Sequence, residues 1–158
     1  MRVRPRGAPD SENVERFLAG RHSRRVARLG VLERPLDHPA LLAESDNREL
    51  AGVLTYVLGE RECEILTLHA ARQGGGVGTA LVEAVEQLAA EQGCRRVWVL
   101  TTNDNVDALR FYQRRGFRLA ALNAGAVDDA RATLKPEIPL VGAYGIPLRD
   151  ELVLDKRL

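Results

Sequence analysis

The chain has 158 residues, of which 45% are hydrophobic and 28% charged, and its formal net charge is +1. These values predict a single folded domain over residues 1–158 and argue against disorder and against charge-driven binding to nucleic acid or membrane. Nine arginines lie within the first 34 residues, but hardly any aromatic side chains accompany them. A solvated face therefore explains them better than a nucleic-acid site does.

Two cysteines, Cys63 and Cys94, lack the spacing of metal ligands, and the N-terminus carries no apolar secretory leader. This cysteine usage predicts a reducing compartment, so we expect a cytoplasmic protein without a metal site. No apolar run is long enough to span a bilayer, and no membrane partner is expected.

The first half of the chain predicts a helix among several strands. Pro5 ends a short first strand, and a helix follows over residues 11–20. Residues 21–38 fit either a second short helix or an extended segment. Three further strands, separated by turn-forming residues, are predicted over residues 40–45, 50–58 and 62–69.

In the second half, helices alternate with strands. The predicted elements are a helix over 77–92, a strand over 95–101, a helix over 105–115, a strand over 117–122, a short helix over 126–134 and a strand over 151–156. Prolines and glycines predict an irregular loop before the last strand. A meander followed by this alternation predicts an α/β (α+β) fold with a mixed sheet and helices on its faces.

The most informative segment is a glycine-rich turn, Gln73-Gly74-Gly75-Gly76-Val77-Gly78, between a predicted strand and a predicted helix. Glycines let a ligand reach backbone N–H groups, and the helix N-terminus adds donors and a positive dipole end, so the turn suits a phosphate or pyrophosphate. The alternative is a turn that needs glycine only for its own packing. A P-loop, G-x-x-x-x-G-K-[ST], is excluded because no lysine precedes residue 135. The dinucleotide fingerprint G-x-G-x-x-G/A fits poorly, because its last position would be Thr79 or Leu81.

The turn fits the pattern [Q/R]-x-x-G-x-[G/A]. A second segment, from Asn105 to Phe117, reads N-x-x-A-x-x-F-Y-x-x-x-G-F and begins 27 residues after Gly78. In this order and spacing, the two motifs resemble those of the GCN5-related N-acetyltransferases (the GNAT superfamily), over roughly residues 40–120. The tail from Lys135 to Glu151 resembles that of a bacterial subgroup without assigned substrates. The resemblance implies a mostly antiparallel sheet of six to seven strands, flanked by helices and splayed at the cofactor site.

The resemblance also implies that acetyl-CoA is the cosubstrate and that a primary amine, on a small molecule or peptide, accepts the acetyl group. It assigns cofactor contacts to the end of a strand, the turn and two residues of the second motif: Leu68, His69, Ala70, Gln73, Gly74, Gly75, Gly76, Val77, Gly78, Thr79, Asn105 and Tyr112. The Leu68 N–H is the candidate oxyanion donor. Asn105 also suits the role of a helix N-cap.

Tyr112 matches the tyrosine of the second motif, so the resemblance implies that it is the general acid, and a phenol can protonate a departing thiolate. Without the motif, a Phe-Tyr pair in a helix is more typical of a core. Among candidate bases, Glu64 ranks first and His69, expected to titrate near neutrality, ranks second. Further options are Glu62, Asp104, Asp150 and a chain of water molecules.

The acceptor pocket is expected between the N-terminal helices and the 123–150 segment, where neither motif extends. Acidic side chains there either attract a cationic amine or form a solvated face; they are Asp128, Asp129, Glu137, Asp150 and Glu151. Family members often pair, so the resemblance allows a homodimer. The alternative function is a non-catalytic acyl-CoA-binding sensor or regulatory module.

Overall fold

The computed structural model describes residues 1–158. In chain order, its strands and helices are β1 (Arg2–Pro5), α1 (Ser11–Ala19), β2 (Val26–Arg28), β3 (Val31–Glu33), β4 (Ala40–Glu44), β5 (Leu50–Leu58), β6 (Glu62–Ala70), α2 (Val77–Glu91), β7 (Arg96–Thr102), α3 (Val106–Arg114), β8 (Arg118–Asn123), α4 (Ala126–Thr133) and β9 (Glu151–Arg157). Seven strands form one mostly antiparallel sheet in the order β1-β4-β5-β6-β7-β9-β8, while β2 and β3 pair only with each other. The predicted fold class is confirmed. None of the helices is both long and apolar enough to cross a lipid bilayer.

The chain divides into two compact units. Unit 1 comprises Met1–Arg25, Arg34–Val97 and Leu158, and unit 2 comprises Val26–Glu33 and Trp98–Arg157. Unit 1 therefore contains the glycine-rich turn, and unit 2 contains the second motif.

The core of unit 1 forms where α1 packs on β4 and β5. Val14 and Leu18, one helical turn apart, lie on the same face of α1, and both are fully buried against Ala40, Leu42 and Val53. The strands beneath pair antiparallel, with Leu42 opposite Val53. This apolar layer fixes the strands that lead to the glycine-rich turn.

The first turn of α2 lies unusually close to β5. A Cβ atom on Gly52 would come within 2.5 Å of Val77 Cγ1 and 3.0 Å of Leu81 Cδ1. Real Cβ atoms essentially never come closer than 3.0 Å to another atom, and the β-branched Val77 side chain is too stiff to move aside easily. Only glycine at this position lets the first turn of α2 pack this closely on β5.

A β-bulge interrupts β6 at Leu66. Ile65 lies opposite Tyr56 and Thr67 lies opposite Thr55, so Leu66 has no partner on β5. Such an extra residue changes which side chains share a face of the strand. The bulge lies just before the part of β6 that leads into the glycine-rich turn.

Residues 21–38, which fitted either a helix or an extended segment, contain the β2–β3 hairpin. The hairpin turns at Leu29 and Gly30, whose φ angles are +50° and +75°. Two consecutive left-handed residues form the type of tight turn that joins antiparallel strands and that no helix accommodates. The extended alternative is therefore correct for residues 26–33, whereas Pro35–Asp37 form a short 3-10 helix.

The segment from residue 134 to 150, predicted as an irregular loop, is held in place by side chains that bind its backbone. The Arg131 guanidinium donates hydrogen bonds to the carbonyl oxygens of Ile138, Pro139 and Leu148, each at 2.8–2.9 Å. Asn103 accepts the N–H groups of Arg149 and Asp150 and donates to the Pro147 carbonyl. Apart from a short 3-10 helix over Ala143–Gly145 and a single bridge between Val141 and Pro147, the segment lacks regular structure, and these contacts fix its path.

Candidate functional site

The glycine-rich turn joins β6 to α2, and its residues from Gln73 to Gly76 are exposed. Gly74 and Gly76 have φ angles of +82° and +76°, a conformation that other residues adopt only with strain. A Cβ atom at Gly74, Gly75 or Gly76 would meet no other atom within 4 Å. Internal packing therefore does not account for these glycines, and backbone conformation accounts for only two of them. The turn presents its backbone to the surroundings.

The helix that follows the turn begins without a side-chain cap. Gly76 is the N-cap, its carbonyl accepts the Ala80 N–H at 3.0 Å, and no acidic residue lies in the first turn. The first N–H groups of a helix have no partner within the helix, and its N-terminus carries a partial positive charge. Arg72, which is exposed, adds a full positive charge before the turn. The arrangement suits an anion such as a pyrophosphate.

The bulge at Leu66 places the two ranked base candidates on the same face of the sheet. Glu64 lies opposite Val57 and His69 lies opposite Val53, and partners directly across an antiparallel pair share a face. In a regular strand, residues five apart point to opposite faces. Because of the bulge, Glu64 and His69 lie on the same face of the sheet. Glu64 is buried there, with 4% of its surface exposed.

His69 is held by a serine from the end of the N-terminal helix region. Its Nε2 atom lies 2.7 Å from Ser23 Oγ, and the Ser23 hydroxyl donates to the Arg21 carbonyl. Burial, and then the charge of Arg21, lower the pKa of His69 to about 4. The expectation that it titrates near neutrality is wrong, because a half-buried imidazole loses the hydration that stabilises its charged form. At neutral pH the ring is uncharged and can accept a proton, though only weakly.

Leu68 and Ala70 lie between the bulge and the turn, opposite Leu54 and Gly52 of β5. Both are half-buried, so they lie where the buried part of β6 gives way to the exposed turn. The Leu68 N–H as oxyanion donor stays a prediction.

Tyr112 lies in the core of unit 2. Its side chain is 5% exposed, and its ring makes edge contacts with Phe111 and Phe117 at centroid distances of 5.1 and 5.2 Å. Burial raises the pKa of Tyr112, which keeps the phenol protonated at neutral pH. Tyr112 therefore has the core packing role that was predicted as the alternative to a general acid. This packing holds the ring in place and leaves the phenol protonated.

Asn105 caps α3. Its Oδ1 atom accepts the Ala108 N–H at 3.1 Å, so the N-cap alternative is confirmed. The cap uses only the oxygen of the side-chain amide. The Nδ2 group keeps its donors for other contacts.

Residues 10–117 match the model of the Acetyltransferase (GNAT) family. The chain belongs to this family. The uncharacterized protein YxbD of Bacillus subtilis (strain 168) is 45% identical over 114 residues, which cover 72% of this GNAT chain and 71% of YxbD.

Two solved structures share the fold. A GNAT family acetyltransferase from Elizabethkingia anophelis with acetyl-CoA bound superposes with a TM-score of 0.71 and 19% identity, over 99% of this chain and 97% of the other. A Bacillus subtilis acetyltransferase in complex with CoA superposes with a TM-score of 0.69 and 20% identity, over 99% and 98%. At this identity, the two structures show that this GNAT chain has the fold of acetyltransferases.

The three lower-ranked base candidates of this GNAT chain have structural partners. Glu62 pairs with Arg96 at 3.1 Å. Asp104 accepts the Thr102 hydroxyl at 2.5 Å and the Ala143 N–H at 2.9 Å, and Asp150 accepts the Gly125 N–H at 2.8 Å. Their carboxylates position backbone and side chains, and the ranking of Glu64 and His69 as bases stays a prediction.

The acidic residues of the 123–150 segment do not form one solvated face. Asp128, Asp129 and Glu137 are exposed, and Asp128 pairs with Arg131 at 2.8 Å. Glu151, however, is 3% exposed. Burial raises its pKa, while the Asn123 amide, the Leu29 N–H and the Arg28 charge oppose that rise. The solvated-face interpretation is wrong for Glu151, because contacts distant in sequence enclose it.

Three residues that position the site were not predicted from the sequence. Gly52 lets α2 pack closely on β5, Ser23 contacts His69, and Asn103 holds the 134–150 segment. A glycine inside a predicted strand is a signal of close approach and could have revealed Gly52. The other two depend on partners far along the chain and have no local signal.

Proposed function

We propose that this GNAT protein is an acetyl-CoA-dependent N-acetyltransferase, acting as a single domain on a primary amine of a small molecule or peptide. The observation that carries the proposal is the open glycine-rich turn at an uncapped helix N-terminus. It combines backbone donors with positive charge, which a pyrophosphate requires. The two cysteines are buried and free, which supports a reducing compartment such as the cytoplasm.

In this proposal, the backbone from Gln73 to Thr79 binds the pyrophosphate, and the residues from Leu68 to Ala70 pair with the pantetheine arm. The Leu68 N–H stabilises negative charge on the thioester oxygen while the amine nitrogen attacks the carbonyl carbon. As the carbon–sulfur bond breaks, the Tyr112 hydroxyl gives its proton to the sulfur. The Asn105 side chain donates a hydrogen bond to the cosubstrate.

The proton of the incoming amine needs an acceptor, and we propose Glu64 or His69. Both lie on one face of the sheet, at either side of the Leu66 bulge. The low pKa of His69 favours Glu64, or a water between them, as the group that takes the proton from an ammonium ion.

Two glycines of the turn provide a matched test of the cosubstrate site. Gly74 and Gly76 share the left-handed conformation and open surroundings, so alanine at either position strains the backbone equally, by about 1 kcal/mol. Only Gly76 is a motif glycine and the N-cap of α2. We expect Gly76→Ala to weaken acetyl-CoA binding about tenfold or more and Gly74→Ala to weaken it less than about threefold, with the affinities measured by calorimetry.

The result can contradict the proposal in two ways. Equal weakening in the two variants indicates that the conformation of the turn, and not contact with the cosubstrate, controls affinity. No binding of acetyl-CoA by the wild-type protein at high micromolar concentration removes the proposal altogether.

Replacing Tyr112 by Phe separates an enzyme from a sensor. The ring keeps its contacts with Phe111 and Phe117, so the fold and acetyl-CoA affinity should change little. Loss of the acidic hydroxyl should lower amine-dependent release of the CoA thiol by about 100-fold or more. Phe111→Leu, which alters the neighbouring packing and leaves the hydroxyl, is the control. Equally slow release by the wild type and Tyr112→Phe, across an amine panel, favours a sensor or another acid.

A further inference from the structure

Helix α1 ends in a tight backbone turn that carries Ser23 to the sheet. The Ser23 N–H donates to the Leu18 carbonyl at 2.9 Å, and the His22 N–H donates to the Ala19 carbonyl at 3.2 Å. His22 has a left-handed φ of +56°. Two nested hydrogen bonds around a left-handed residue form a Schellman motif, which closes a helix in one defined geometry. The backbone at Ser23 is therefore fixed relative to α1.

His69 lies on the face of β6 that α1 covers. It is directly opposite Val53, and Val53 packs against Val14 and Leu18 of α1. Residues directly opposite in an antiparallel pair share a face of the sheet. The end of α1 and the imidazole ring are therefore on the same side, and Ser23 Oγ lies 2.7 Å from His69 Nε2.

The partners of the Ser23 hydroxyl decide which nitrogen of His69 carries the proton. The hydroxyl donates its one hydrogen to the Arg21 carbonyl at 3.2 Å, and a carbonyl oxygen can only accept. The hydroxyl oxygen is left to accept, so Nε2 of His69 donates to it. A neutral imidazole has a single N–H, and Nδ1 therefore holds a lone pair. A nucleophilic serine would instead donate its hydrogen to the ring.

The Nδ1 atom of His69 is open to a ligand. Ser23 Oγ is the one polar atom of the protein that hydrogen-bonds to the ring, and it contacts Nε2. His69 has no side-chain nitrogen that is both buried and unpartnered. Since Nδ1 lacks a partner, it reaches the surroundings. The ring is thus held at one nitrogen and free to accept a hydrogen bond at the other.

The charge near the ring suits this role. Burial, and then the Arg21 charge, lower the pKa of His69 to about 4, so the lone pair on Nδ1 is kept at neutral pH. Arg21 is itself fixed, because its guanidinium donates to the Phe17 carbonyl at 3.0 Å and stacks on the Phe17 ring at 3.6 Å. An uncharged nitrogen acceptor binds a group that brings an N–H, and an amine brings one. The residue before His69 is Leu68, whose N–H is the predicted oxyanion donor.

We propose that Ser23 is a positioning residue for the acetyl acceptor: by accepting the Nε2–H of His69, it presents Nδ1 as the hydrogen-bond acceptor for the nitrogen of the incoming amine. This inference rests on the proposed acetyltransferase function. His69 binds the amine, and Glu64 or a water takes its proton. Ser23 acts through His69 and forms no covalent bond with the acetyl group.

The first test determines the tautomer of His69 and needs no substrate. Nitrogen NMR of histidine-labelled protein at pH 7.5 distinguishes protonated from unprotonated ring nitrogens, and a His69→Gln spectrum assigns the signals among the three histidines. We expect Nε2 to be protonated and Nδ1 unprotonated in the wild type. In Ser23→Ala, the two signals should shift toward each other as the tautomers mix. Ser23→Thr keeps the hydroxyl and should keep the wild-type spectrum.

The second test separates acceptor from cosubstrate. CoA thiol release is measured with whichever of tyramine, histamine, spermidine and benzylamine reacts fastest. In Ser23→Ala, we expect the KM for the amine to rise about fivefold or more while the KM for acetyl-CoA stays within about twofold, and Ser23→Thr should restore the amine KM. Ser45→Ala is the matched control, because Ser45 Oγ accepts the Glu49 N–H in the β4–β5 turn, and it should change neither constant.

A wild-type spectrum with the proton on Nδ1 overturns the inference, and so does a Ser23→Ala spectrum identical to that of the wild type. A rise in both KM values together also overturns it, since that result indicates a general structural role. If the tautomer is as expected but the wild type acetylates none of the four amines, the proposed function fails and the acceptor role fails with it. Amine acetylation without the KM split contradicts the positioning role alone.

Discussion

His69 faces Ser23, and this contact has a consequence for stability. Burial lowers the pKa of His69 from 6.5 to about 4, so the unfolded chain binds a proton more readily than the folded protein does. Between these two pH values the unfolded chain becomes protonated at His69 while the folded protein does not. The free energy of unfolding therefore falls as the pH falls through this window and is fully retained above it.

We expect this dependence to be weaker in a His69→Gln variant. Between about pH 7.5 and pH 4, the free energy of unfolding of the wild type should fall by up to about 3 kcal/mol more than that of the variant. Urea unfolding at several pH values measures the difference. Parallel pH profiles for the two proteins would show that the imidazole keeps its ordinary pKa in the folded state.

The early arginines show a second feature at the scale of single residues. Arg16 and Arg24 are largely exposed and pair with Glu12 and Glu15, as the solvated-face interpretation predicts. Arg4 differs: its guanidinium binds both Asp10 and Glu44 at 2.6–2.8 Å. This contact lowers the pKa of Asp10 to about 2. Arg4 therefore links β1, the start of α1 and β4, and does not present a free charge to a polyanion.

At the scale of elements, the position of α2 depends on one glycine of β5. In Gly52→Ala, the new methyl group meets the stiff Val77 side chain, so the helix N-terminus must shift away from the sheet. We expect a loss of about 1–3 kcal/mol in the free energy of unfolding, measured with urea, and weaker acetyl-CoA binding. Gly20→Ala is the control, because its Cβ would make only ordinary contacts, at 3.7 and 3.8 Å.

A double variant tests the reason for this effect. In a Gly52→Ala background, Val77→Ala removes the methyl group that causes the clash, so part of the lost stability and affinity should return. If the two losses simply add, the clash with Val77 is not the cause.

The β6 strand shows what alternation along a sequence cannot reveal. A strand over residues 62–69 was predicted in the correct place, and its period of two puts Glu64 and His69 on opposite faces. The bulge at Leu66 reverses this relationship. Whether a strand contains a bulge depends on its partner β5 and on the turn that follows, and neither is visible in the local pattern.

Across the whole molecule, features with local causes were predicted and features with distant causes were not. The order of strands and helices follows from periodicity and turn residues, and Asn105 caps α3 from three residues away. By contrast, Asn103 binds backbone groups 44 to 47 residues away, and Asp104 accepts the Ala143 N–H from 39 residues away. The glycine-rich turn and the cap of α3 were therefore predictable, and the contacts that hold the 134–150 segment were not.

The contacts that hold the 134–150 segment have an evolutionary consequence. Arg131, Asn103 and Asp104 all bind backbone atoms of the segment. Leu140 and Val141, which are more than half exposed, can therefore change by mutation without altering its path. Other positions are constrained: the Tyr144 hydroxyl donates to Asp107, and any Cβ atom at Gly142 would collide with the Asp104 carboxylate. Descendants of this protein can thus diversify the surface of the segment while inheriting its framework unchanged.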